Sequence, residues 1–485
     1  MTADAIRCDV CVVGAGPAGV AAALRLADLG RDVCLVAPSP LGKNRRWESL
    51  TPGALKILNA LGLGTALANA HCQPSHVAAV TWGGDVNRAS HAETTFLVDR
   101  TCFDACLMDA ARRRGVRLLT PAVASRPQNI GSAWLLPITT NQTIASIHAA
   151  HIIDATGRKA LSGGRRRRLS PATLALCARW RGRPHVRNAT RIEATAGSWL
   201  WSASLVEGIH YAAVFVDPRS LRVAGDTPAA TFLAAVNGSS LRWDGALGST
   251  VTACDASAIG IARAPGMDGI IAAGEAAFSL DPLSSQGIQR ALVDGQQSAI
   301  VVNTLIVHPE RRDVALAFHA ERQAEAAYRD RLMCQSLYRE QAISNPSPFW
   351  SRYCGPGALL KHLPREPLAI DSLRPETRLR LSPQARLEDV AVIDGDVIAL
   401  APALFHPDLD RPIAFLAGRS IRSLLARVIS GVTAGSLFAD WSADSLPEGA
   451  ALKLLQWFWQ RRLLVDNDCT PLVETASKDG SASVR

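Results

Sequence analysis

The sequence contains no uninterrupted apolar run of about 18 residues, the length that a membrane-spanning helix needs. Its first residues, Met1–Ala5, lack the basic and then apolar layout of a secretion signal. The eleven cysteines are an odd number scattered along the chain, which is a poor basis for a disulfide framework. These three absences predict a cytoplasmic protein that does not insert into a membrane.

The spacing of the cysteines does not indicate a metal site either. Cys8 and Cys11 have CxxC spacing, but both fall in a predicted strand, where residues three apart point to opposite faces. They cannot readily bridge or share a metal ion, so we interpret them as small buried hydrophobic side chains. No metal site is expected.

Lysine is scarce, and arginine carries most of the formal net charge of +9. The densest cluster is the sequence GGRRRR from Gly163 to Arg168. Two interpretations of this run remain open: a solvated surface loop, or a surface that binds an acidic protein or peptide by electrostatic attraction. Nucleic-acid binding is not expected, because the basic residues of the C-terminal region are not concentrated on one recognition helix.

A glycine-rich motif, Gly14-Ala15-Gly16-Pro17-Ala18-Gly19, separates a predicted strand over Cys8–Val13 from a predicted helix over Pro17–Leu29. In a dinucleotide site Gly14 allows the tight turn, Gly16 lets a pyrophosphate approach the backbone, and Gly19 lets the helix pack close to the strand. The free N–H groups at the start of the helix then bind the phosphates. The motif therefore predicts a dinucleotide site.

One part of that site is missing from the sequence. The second predicted strand, Asp32–Val36, is followed by Ala37 and Pro38, and the next carboxylate is Glu48. An acidic residue that binds the adenosine ribose is expected at the end of this strand. Ser39, Lys43 or an arginine is the candidate substitute.

Four further stretches follow in order along the chain: Arg45–Leu50 (RRWESL), Val98–Asp104 (VDRTCFD), Asp154–Gly157 (DATG) and Gly274–Ile288, which contains GEAA and DPLSSQGI. With these stretches the chain resembles the FAD-dependent monooxygenases of the para-hydroxybenzoate hydroxylase type. It equally resembles their relatives, the tryptophan halogenases and geranylgeranyl reductases.

The resemblance implies particular cofactor contacts. Arg100 would reach the FAD, and Glu275 stands where these relatives have the aspartate that holds the ribityl chain. The helix that begins near Gly287 would direct its N–H groups at the flavin pyrimidine and stabilise negative charge on the reduced flavin. The full set of implied contacts is Gly14, Gly16, Pro17, Ala18, Gly19, Arg45, Glu48, Ser49, Arg100, Val123, Gly157, Gly274, Glu275, Pro282, Ser285, Gly287 and Ile288.

The implied fold class is α/β. A Rossmann-like FAD-binding domain of the glutathione reductase type is expected with an antiparallel-sheet substrate domain and a small, mainly helical C-terminal domain that resembles a winged helix. The expected boundaries are residues 1–170 and 250–343 for the FAD domain, 171–249 with part of 70–100 for the substrate domain, 344–386 for a linker, 387–466 for the C-terminal domain and 467–485 for a disordered tail. In the C-terminal domain we expect a hairpin around Asp394-Gly395, a turn at Ser436–Trp441 and a helix over Leu446–Leu464.

Several features bear on the flavin chemistry. The chain has no second GxGxxG, so NAD(P)H that docks transiently, or an external flavin reductase, would reduce the FAD, with O2 as co-substrate. Halogenases use a lysine beyond the loop that follows strand two, but no lysine occurs between Lys56 and Lys159. Trp199 and Trp201 keep the tryptophans of the halogenase signature W-x-W-x-I-P, whose Ile-Pro is lost. Halogenation is therefore disfavoured, and hydroxylation through a flavin C4a-hydroperoxide is expected.

Within this superfamily, the Glu48–Leu50 loop, the Trp199 and Trp201 pair and the added C-terminal region most resemble the flavoproteins that mature quinone cofactors inside other enzymes. These include the tryptophylquinone maturase of quinohaemoprotein amine dehydrogenase and the lysine oxidase partner flavoproteins. The resemblance implies that the substrate is a tryptophan within a partner polypeptide, hydroxylated twice.

Alternatives remain open. The two tryptophans share one face of a strand, and they either wall a substrate cavity or belong to the core. A small-molecule hydroxylase, a halogenase, a prenyl reductase and a flavin-binding regulator are the other functional hypotheses. The catalytic base is not identified, and residue type alone makes His71, His76, His151 and His210 candidates.

Overall fold

The structure is a computed structural model that describes residues 6–39, 46–64, 72–140, 144–161, 166–182, 189–205, 208–224, 227–240, 247–261, 269–355, 367–428, 431–444, 446 and 449–468. It divides into two compact units, the first comprising Met1–Leu359 with Ile393–Ile398 and the second Leu360–Val392 with Ala399–Arg485. In these ranges no helix has both the length and the apolar character that crossing a bilayer requires.

The N-terminal sheet of the first unit is built around the strand Ile6–Val13. Residues Val10, Cys11 and Val12 are fully buried, because both faces of this strand are covered. In spatial order the sheet contains Arg117–Leu119, Val33–Val36, Ile6–Val13, Ile144–Asp154, Trp134–Thr140 and Ala122–Ala124, with Ile270–Ala272 paired to Ile144–Asp154 and Gln128–Asn129 paired to Trp134–Thr140. The first four of these strands and Ile270–Ala272 are mutually parallel, as a Rossmann-like fold requires.

The helix Pro17–Asp28, here called the Pro17 helix, lies unusually close to this sheet. Gly14 has a φ of +105°, and a Cβ at this position would lie 2.2 Å from the carbonyl oxygen of Ala155. A Cβ at Gly19 would lie 1.8 Å from the carbonyl oxygen of Gly14. Both positions therefore accept only glycine, because a side chain at either one would meet the backbone.

A second eight-stranded sheet, here called the roof sheet, forms the other half of the first unit. Its spatial order is Thr252–Asp255, Leu174–Arg181, Ile209–Val216, Trp199–Ser204, Ala189–Ala194, Gln73–Trp82, Asp85–Asp99 and Trp47–Leu50. All neighbouring strands are antiparallel except Ala189–Ala194 and Gln73–Trp82, which are parallel. The sheet thus extends beyond the expected substrate domain and recruits 47–50 and 252–255 from the expected FAD domain.

The described part of the arginine run, Arg166–Arg168, forms a strand. Arg166–Arg168 pairs with Ile259–Ile261, which in turn pairs with Phe278–Ser279. Arg166 turns inward and donates hydrogen bonds to the carbonyl oxygens of Arg158, Glu275 and Ala276. Arg167 and Arg168 are exposed, and Arg165 lies outside the described residues.

The helices described in the first unit are Pro17–Asp28, Pro52–Ala60, Arg100–Arg113, Pro218–Ala224, Pro228–Asn237, Gly287–Val307, Arg312–Ser344 and Pro348–Tyr353. The last of these corrects the expected linker over 344–386. Phe349, Trp350 and Tyr353 are buried, and the Trp350 ring meets Trp82 edge-on with ring centroids 5.2 Å apart. The Trp350 indole N–H also donates to the carbonyl oxygen of Thr195. The segment Pro348–Tyr353 belongs to the hydrophobic core, because burying its aromatic side chains removes their apolar surface from water.

The second unit has its own apolar core of leucines and aromatic residues. Its central strand Arg378–Leu381 lies between Val432–Thr433 and Leu464–Asp466, and Phe415–Leu416 pairs with Arg419–Ser420. The strands Arg386–Asp394 and Val397–Phe405 form a hairpin whose tip, Ile393–Ile398, is assigned to the first unit. Its helices are Ile421–Leu425, Ala434–Ala443 and Ala450–Gln460. The hairpin around Asp394-Gly395 is confirmed, and the turn expected at Ser436–Trp441 is wrong, since a helix with Trp441 in its buried face occupies it. The expected tail lies outside the described residues from 469 onward.

Replacing Trp350 tests whether this segment belongs to the core of the first unit. Trp350→Ala removes a fully buried side chain, so we expect the free energy of unfolding to fall by about 3–5 kcal/mol. Ile343→Ala, at a side chain that is 75% exposed, serves as the control and should cost less than about 0.5 kcal/mol. Urea unfolding followed by circular dichroism measures both, and equally small effects would contradict the assignment.

Candidate functional site

A cavity of about 390 Å³ lies between the N-terminal sheet, two helix starts and the inner face of the roof sheet. This volume falls in the range of small-molecule sites. Most of the residues predicted from sequence line it: Gly16, Pro17, Ala18, Glu48, Ser49, Arg100, Gly157, Gly274, Glu275, Pro282, Ser285, Gly287, Ile288, Trp199 and Trp201.

Four predicted contacts are not part of the described cavity wall. Gly14 and Gly19 pack the Pro17 helix against its neighbours. Val123 is 60% exposed on the strand Ala122–Ala124 and does not line the cavity. Arg45 lies outside the described residues, although the next residue, Arg46, does line the cavity.

The start of the Pro17 helix forms one end of the cavity. Gly16 is the N-cap residue, no side chain caps the helix, and a Cβ at Gly16 would have no neighbour within 4 Å. The first N–H groups of the helix therefore face open space beside Gly157 and Glu275, which also line the cavity. An anionic group such as a pyrophosphate fits this cradle.

A second helix, Gly287–Val307, here called the Gly287 helix, begins at the same cavity. Its N-cap residue Gln286 makes no side-chain capping hydrogen bond, and a Cβ at Gly287 would also have no neighbour within 4 Å. Pro282 and Ser285 lie just before it and line the cavity, with Ser285 in a left-handed conformation at a φ of +52°. The positive end of this helix dipole would stabilise negative charge on a bound ring.

An ion-pair cluster fixes Arg100 in the wall. The Arg100 guanidinium donates to Glu48 at 2.8 Å and to both carboxylate oxygens of Asp104 at 3.1 and 3.2 Å. Asp99 caps the helix that begins at Arg100 by accepting from the N–H of Thr101. Burial opposes the charged guanidinium, but the two carboxylates outweigh it and raise the pKa of Arg100 above its usual value. Arg100 is therefore held permanently charged at the cavity.

Arg158 organises the opposite wall. It donates to Ser279 at 2.9 Å and to the carbonyl oxygen of Ser257 at 3.0 Å, and it lies 3.3 Å from Asp255. Loss of solvent in the wall raises the pKa of Glu275, an effect that the nearby Arg158 opposes. A carboxyl group in this position can bind a hydroxyl group of a ligand.

The inner face of the roof sheet is aromatic. Trp199 is 1% exposed and stacks on Phe215 with ring centroids 3.8 Å apart, and Trp201 meets Tyr211 edge-on at 6.0 Å. All four line the cavity. The indole N–H of Trp199 finds no acceptor among the described residues. The two tryptophans are therefore both core and cavity wall, and a buried donor is left for a ligand.

Sequence reasoning missed Cys177, Tyr211, Cys254, Asp281 and Arg290, all of which line the cavity. The first three lie at alternate positions of the roof sheet on the same face as Trp199 and Trp201, so strand alternation could have found them once that face was known. Asp281 belongs to the quoted DPLSSQGI stretch.

None of the four candidate histidines contributes to the described cavity. His71 and the side chain of His76 lie outside the described residues. His151 is half-buried, and burial lowers its pKa, while His210 stacks on Trp180 with ring centroids 5.3 Å apart. Among the described side chains there is also no group of three or more His, Cys, Asp or Glu that could hold a metal ion.

Residues 7–164 match the family described as FAD binding domain. Menaquinone reductase of Mycobacterium tuberculosis is 33% identical over 136 residues, which are 27% of this chain and 33% of the reductase. The chain thus spans about a third of the length of this curated relative.

Two solved structures resemble nearly the whole chain. One is the peptidyl tryptophan dihydroxylase QhpG, essential for tryptophylquinone cofactor biogenesis, at 24% identity and a TM-score of 0.69, over 94% of this chain and 99% of QhpG. The other is the flavin-dependent halogenase CmlS, at 19% identity and a TM-score of 0.75, over 94% of this chain and 96% of CmlS. The chain has the fold of the FAD-dependent monooxygenase and halogenase superfamily, as the resemblance predicted.

The described residues fit FAD at the phosphate and ring ends of the cavity. Two uncapped helix starts, a glycine cradle and the charged Arg100 are the groups that a pyrophosphate and an isoalloxazine require. The adenosine end is not identified, because no residue at the end of Val33–Val36 lines the described cavity and Lys43 lies outside the described residues.

Two glycine variants separate cofactor binding from folding. Gly16 has a φ of −74° and open space around it, so Gly16→Val should fold and yet purify with less than about a tenth of the normal FAD, because its side chain fills the phosphate cradle. Gly19→Val is the matched control at which the Cβ meets backbone, and we expect it to lose folded protein. The ratio of flavin to protein absorbance and the circular dichroism spectrum measure the two effects. Full flavin occupancy in Gly16→Val would contradict the assigned cradle.

The raised pKa of Asp281 predicts that the stability of the folded protein depends on pH. It is 4% exposed, and burial raises its pKa to about 6, although the Leu283 N–H and the Tyr338 hydroxyl both donate to it. The folded chain therefore keeps a proton that the unfolded chain releases between pH 3.8 and about 6, so stability from this group falls as the pH rises through that window.

Asp281→Asn removes this penalty. Relative to wild type, its free energy of unfolding should rise by about 2 kcal/mol between pH 4.5 and pH 7.5. Tyr338→Phe, which removes a donor to the carboxylate, should instead lose stability more steeply than wild type over the same range. Urea unfolding across the pH series measures this, and parallel curves for Asp281→Asn and wild type would show that Asp281 does not titrate there.

Proposed function

We propose that this chain is an FAD-dependent monooxygenase that hydroxylates a tryptophan side chain of a partner polypeptide. The observation that carries the proposal is the aromatic wall formed by Trp199, Trp201, Tyr211 and Phe215, which faces the cofactor cradle across one cavity. The likeness to the peptidyl tryptophan dihydroxylase over 94% of this chain supports it.

The roof sheet would bind and orient the substrate ring. An indole packs favourably against tryptophan and tyrosine rings in stacked or edge-on geometries. The unpaired N–H of Trp199 would donate to an acceptor on the bound molecule, such as a peptide carbonyl. The aromatic and aliphatic wall would also exclude water, which protects reactive oxygen species from side reactions.

Bound FAD, once reduced, would supply the activated oxygen that the electron-rich indole ring accepts. NAD(P)H or an external flavin reductase would provide the electrons, and O2 would be the co-substrate.

Hydroxylation of the indole would release a proton from the substrate ring, and this proton needs an acceptor. Of the carboxylates in the cavity wall, Glu48 pairs with Arg100 and Asp255 pairs with Arg158. Glu275, whose pKa burial also raises, lies beside the start of the Pro17 helix, where the phosphates of the cofactor are expected. Asp281 has no ion pair with a described residue, and its pKa of about 6 suits a group that takes up a proton near neutral pH. We assign the proton to the Asp281 carboxylate.

The likeness to a halogenase raises a second candidate, since the TM-score with CmlS is 0.75. Halogenation is disfavoured because the described cavity wall contains no lysine and the chain has none between Lys56 and Lys159. A small-molecule hydroxylase with the same cavity is the alternative that the experiment below must separate.

The partner polypeptide would bind the protein by electrostatic attraction. Arg167 and Arg168 are exposed on a short strand whose first residue, Arg166, contacts the Glu275 turn of the cofactor site. An acidic polypeptide held by these arginines would lie close to the cavity.

The test supplies FAD, NADH, a flavin reductase and O2 to the purified chain, with acidic tryptophan-containing peptides and free tryptophan as separate substrates. We expect mass gains of one or two oxygen atoms on the tryptophan of peptides and little or no turnover of free tryptophan. Trp201→Ala should lower peptide turnover by about 10-fold, because an aromatic contact to the substrate is lost, without changing FAD occupancy.

Trp457→Ala, a change in the second unit, is the matched control and should leave turnover unchanged. Hydroxylation of free tryptophan at the same rate as peptides would favour the small-molecule alternative. Incorporation of chloride or bromide, with no oxygen gain, would overturn the proposal.

A further inference from the structure

Two cysteines lie side by side on the inner face of the roof sheet. The strands Leu174–Arg181 and Thr252–Asp255 are antiparallel, with Ala175 opposite Cys254 and Cys177 opposite Thr252. Cys177 and Cys254 are therefore diagonal neighbours whose side chains share one face. Both line the cavity.

The Cys177 and Cys254 thiols interact with each other, and the Tyr211 hydroxyl interacts with Cys177. The interaction with Cys177 and the nearby charges of Arg46 and Arg158 lower the pKa of Cys254 to about 6, against the opposing effect of burial. The same contact and burial raise the pKa of Cys177. Cys254 is therefore the more acidic thiol of the pair.

The position of Cys254 allows a disulfide to form between the two cysteines. Its strand, Thr252–Asp255, is only four residues long and forms the edge of the roof sheet, where it pairs with one strand among the described residues. Diagonal positions across an antiparallel ladder are about 7–8 Å apart at Cα, slightly beyond the usual span of a disulfide of about 4.4–6.8 Å. Closure therefore needs a small shift of the edge strand, and the bond that results would be strained and easily reduced.

We propose that Cys254 and Cys177 are an oxidisable dithiol in the cavity wall, in which hydrogen peroxide attacks Cys254 first and Cys177 then closes a disulfide. The Cys254 thiolate displaces hydroxide from peroxide and becomes a sulfenic acid. The Cys177 thiol then attacks that sulfur, a disulfide forms and water leaves. Peroxide gains two electrons and the thiols lose two. The proposal needs only peroxide and is independent of the proposed function.

The experiment treats the purified full-length chain with stoichiometric hydrogen peroxide and maps each cysteine by alkylation before and after reduction. We expect Cys254 to be lost at least about 10-fold faster than Cys334, a buried cysteine outside the cavity whose pKa is raised. The product should be a peptide pair joined through Cys177 and Cys254 that dithiothreitol separates.

Two variants test the roles. Cys177→Ala should leave a dimedone-reactive sulfenic acid on Cys254 and no disulfide, and Cys254→Ser should leave Cys177 reduced. Cys334→Ser is the matched control and should oxidise like wild type. The wild-type map alone decides the matter if a variant folds poorly. Cys254 that stays reduced while other cysteines oxidise, or that becomes a sulfinic acid without a disulfide, would overturn the proposal.

Discussion

The candidate site depends on how closely two helices approach at Ala18. A Cβ at Gly295 of the Gly287 helix would lie 2.1 Å from the carbonyl oxygen of Ala18, and a Cβ at Gly274 would lie 2.8 Å from the Ala18 methyl group. Glycine at these two positions, with Gly14 and Gly19 on the other side, brings the Pro17 and Gly287 helices together at their N-terminal ends. Because both helix starts then open on one cavity, two positive dipole ends act on the same volume. A single side chain at either glycine would separate them.

Several of the charged groups around this cavity are arranged in ion pairs. Arg100 with Glu48 and Asp104, and Arg158 with Asp255, are compensated within the wall. Pairing of this kind keeps each group in a fixed state of charge and holds it in place. Asp281 and the Cys254 thiol differ, since their pKa values lie near 6 and each can gain or lose a proton near neutral pH.

The sequence predicts the parts of the site that depend on interactions between residues close together in the chain. The cradle was predictable, because Gly14, Gly16 and Gly19 act within one strand–turn–helix unit and the later motifs follow in order. The roof-sheet wall was only half predictable. Trp199 and Trp201 carried a signature, but Cys177 and Cys254 meet through a pairing of strands about 75 residues apart, and no local pattern encodes that register. The segment around Trp350 resembles a linker in sequence because proline and polar residues flank it. Its burial depends on Trp82 and Thr195, which are distant in sequence.

The two halves of the cavity place opposite demands on the chain. The cradle must stay polar, because it offers backbone N–H groups and arginine to an anionic cofactor. The roof must stay apolar and dry, because reactive oxygen would otherwise be lost to water. Cys177 and Cys254 lie on the apolar side, and the strand that carries Cys254 is the edge strand of the roof sheet. An edge strand that pairs with one described strand can shift more easily than the glycine contacts that fix the two helix starts. Any adjustment of the cavity to a bulky substrate, or to oxidation, therefore falls on the roof edge and leaves the cofactor cradle in place.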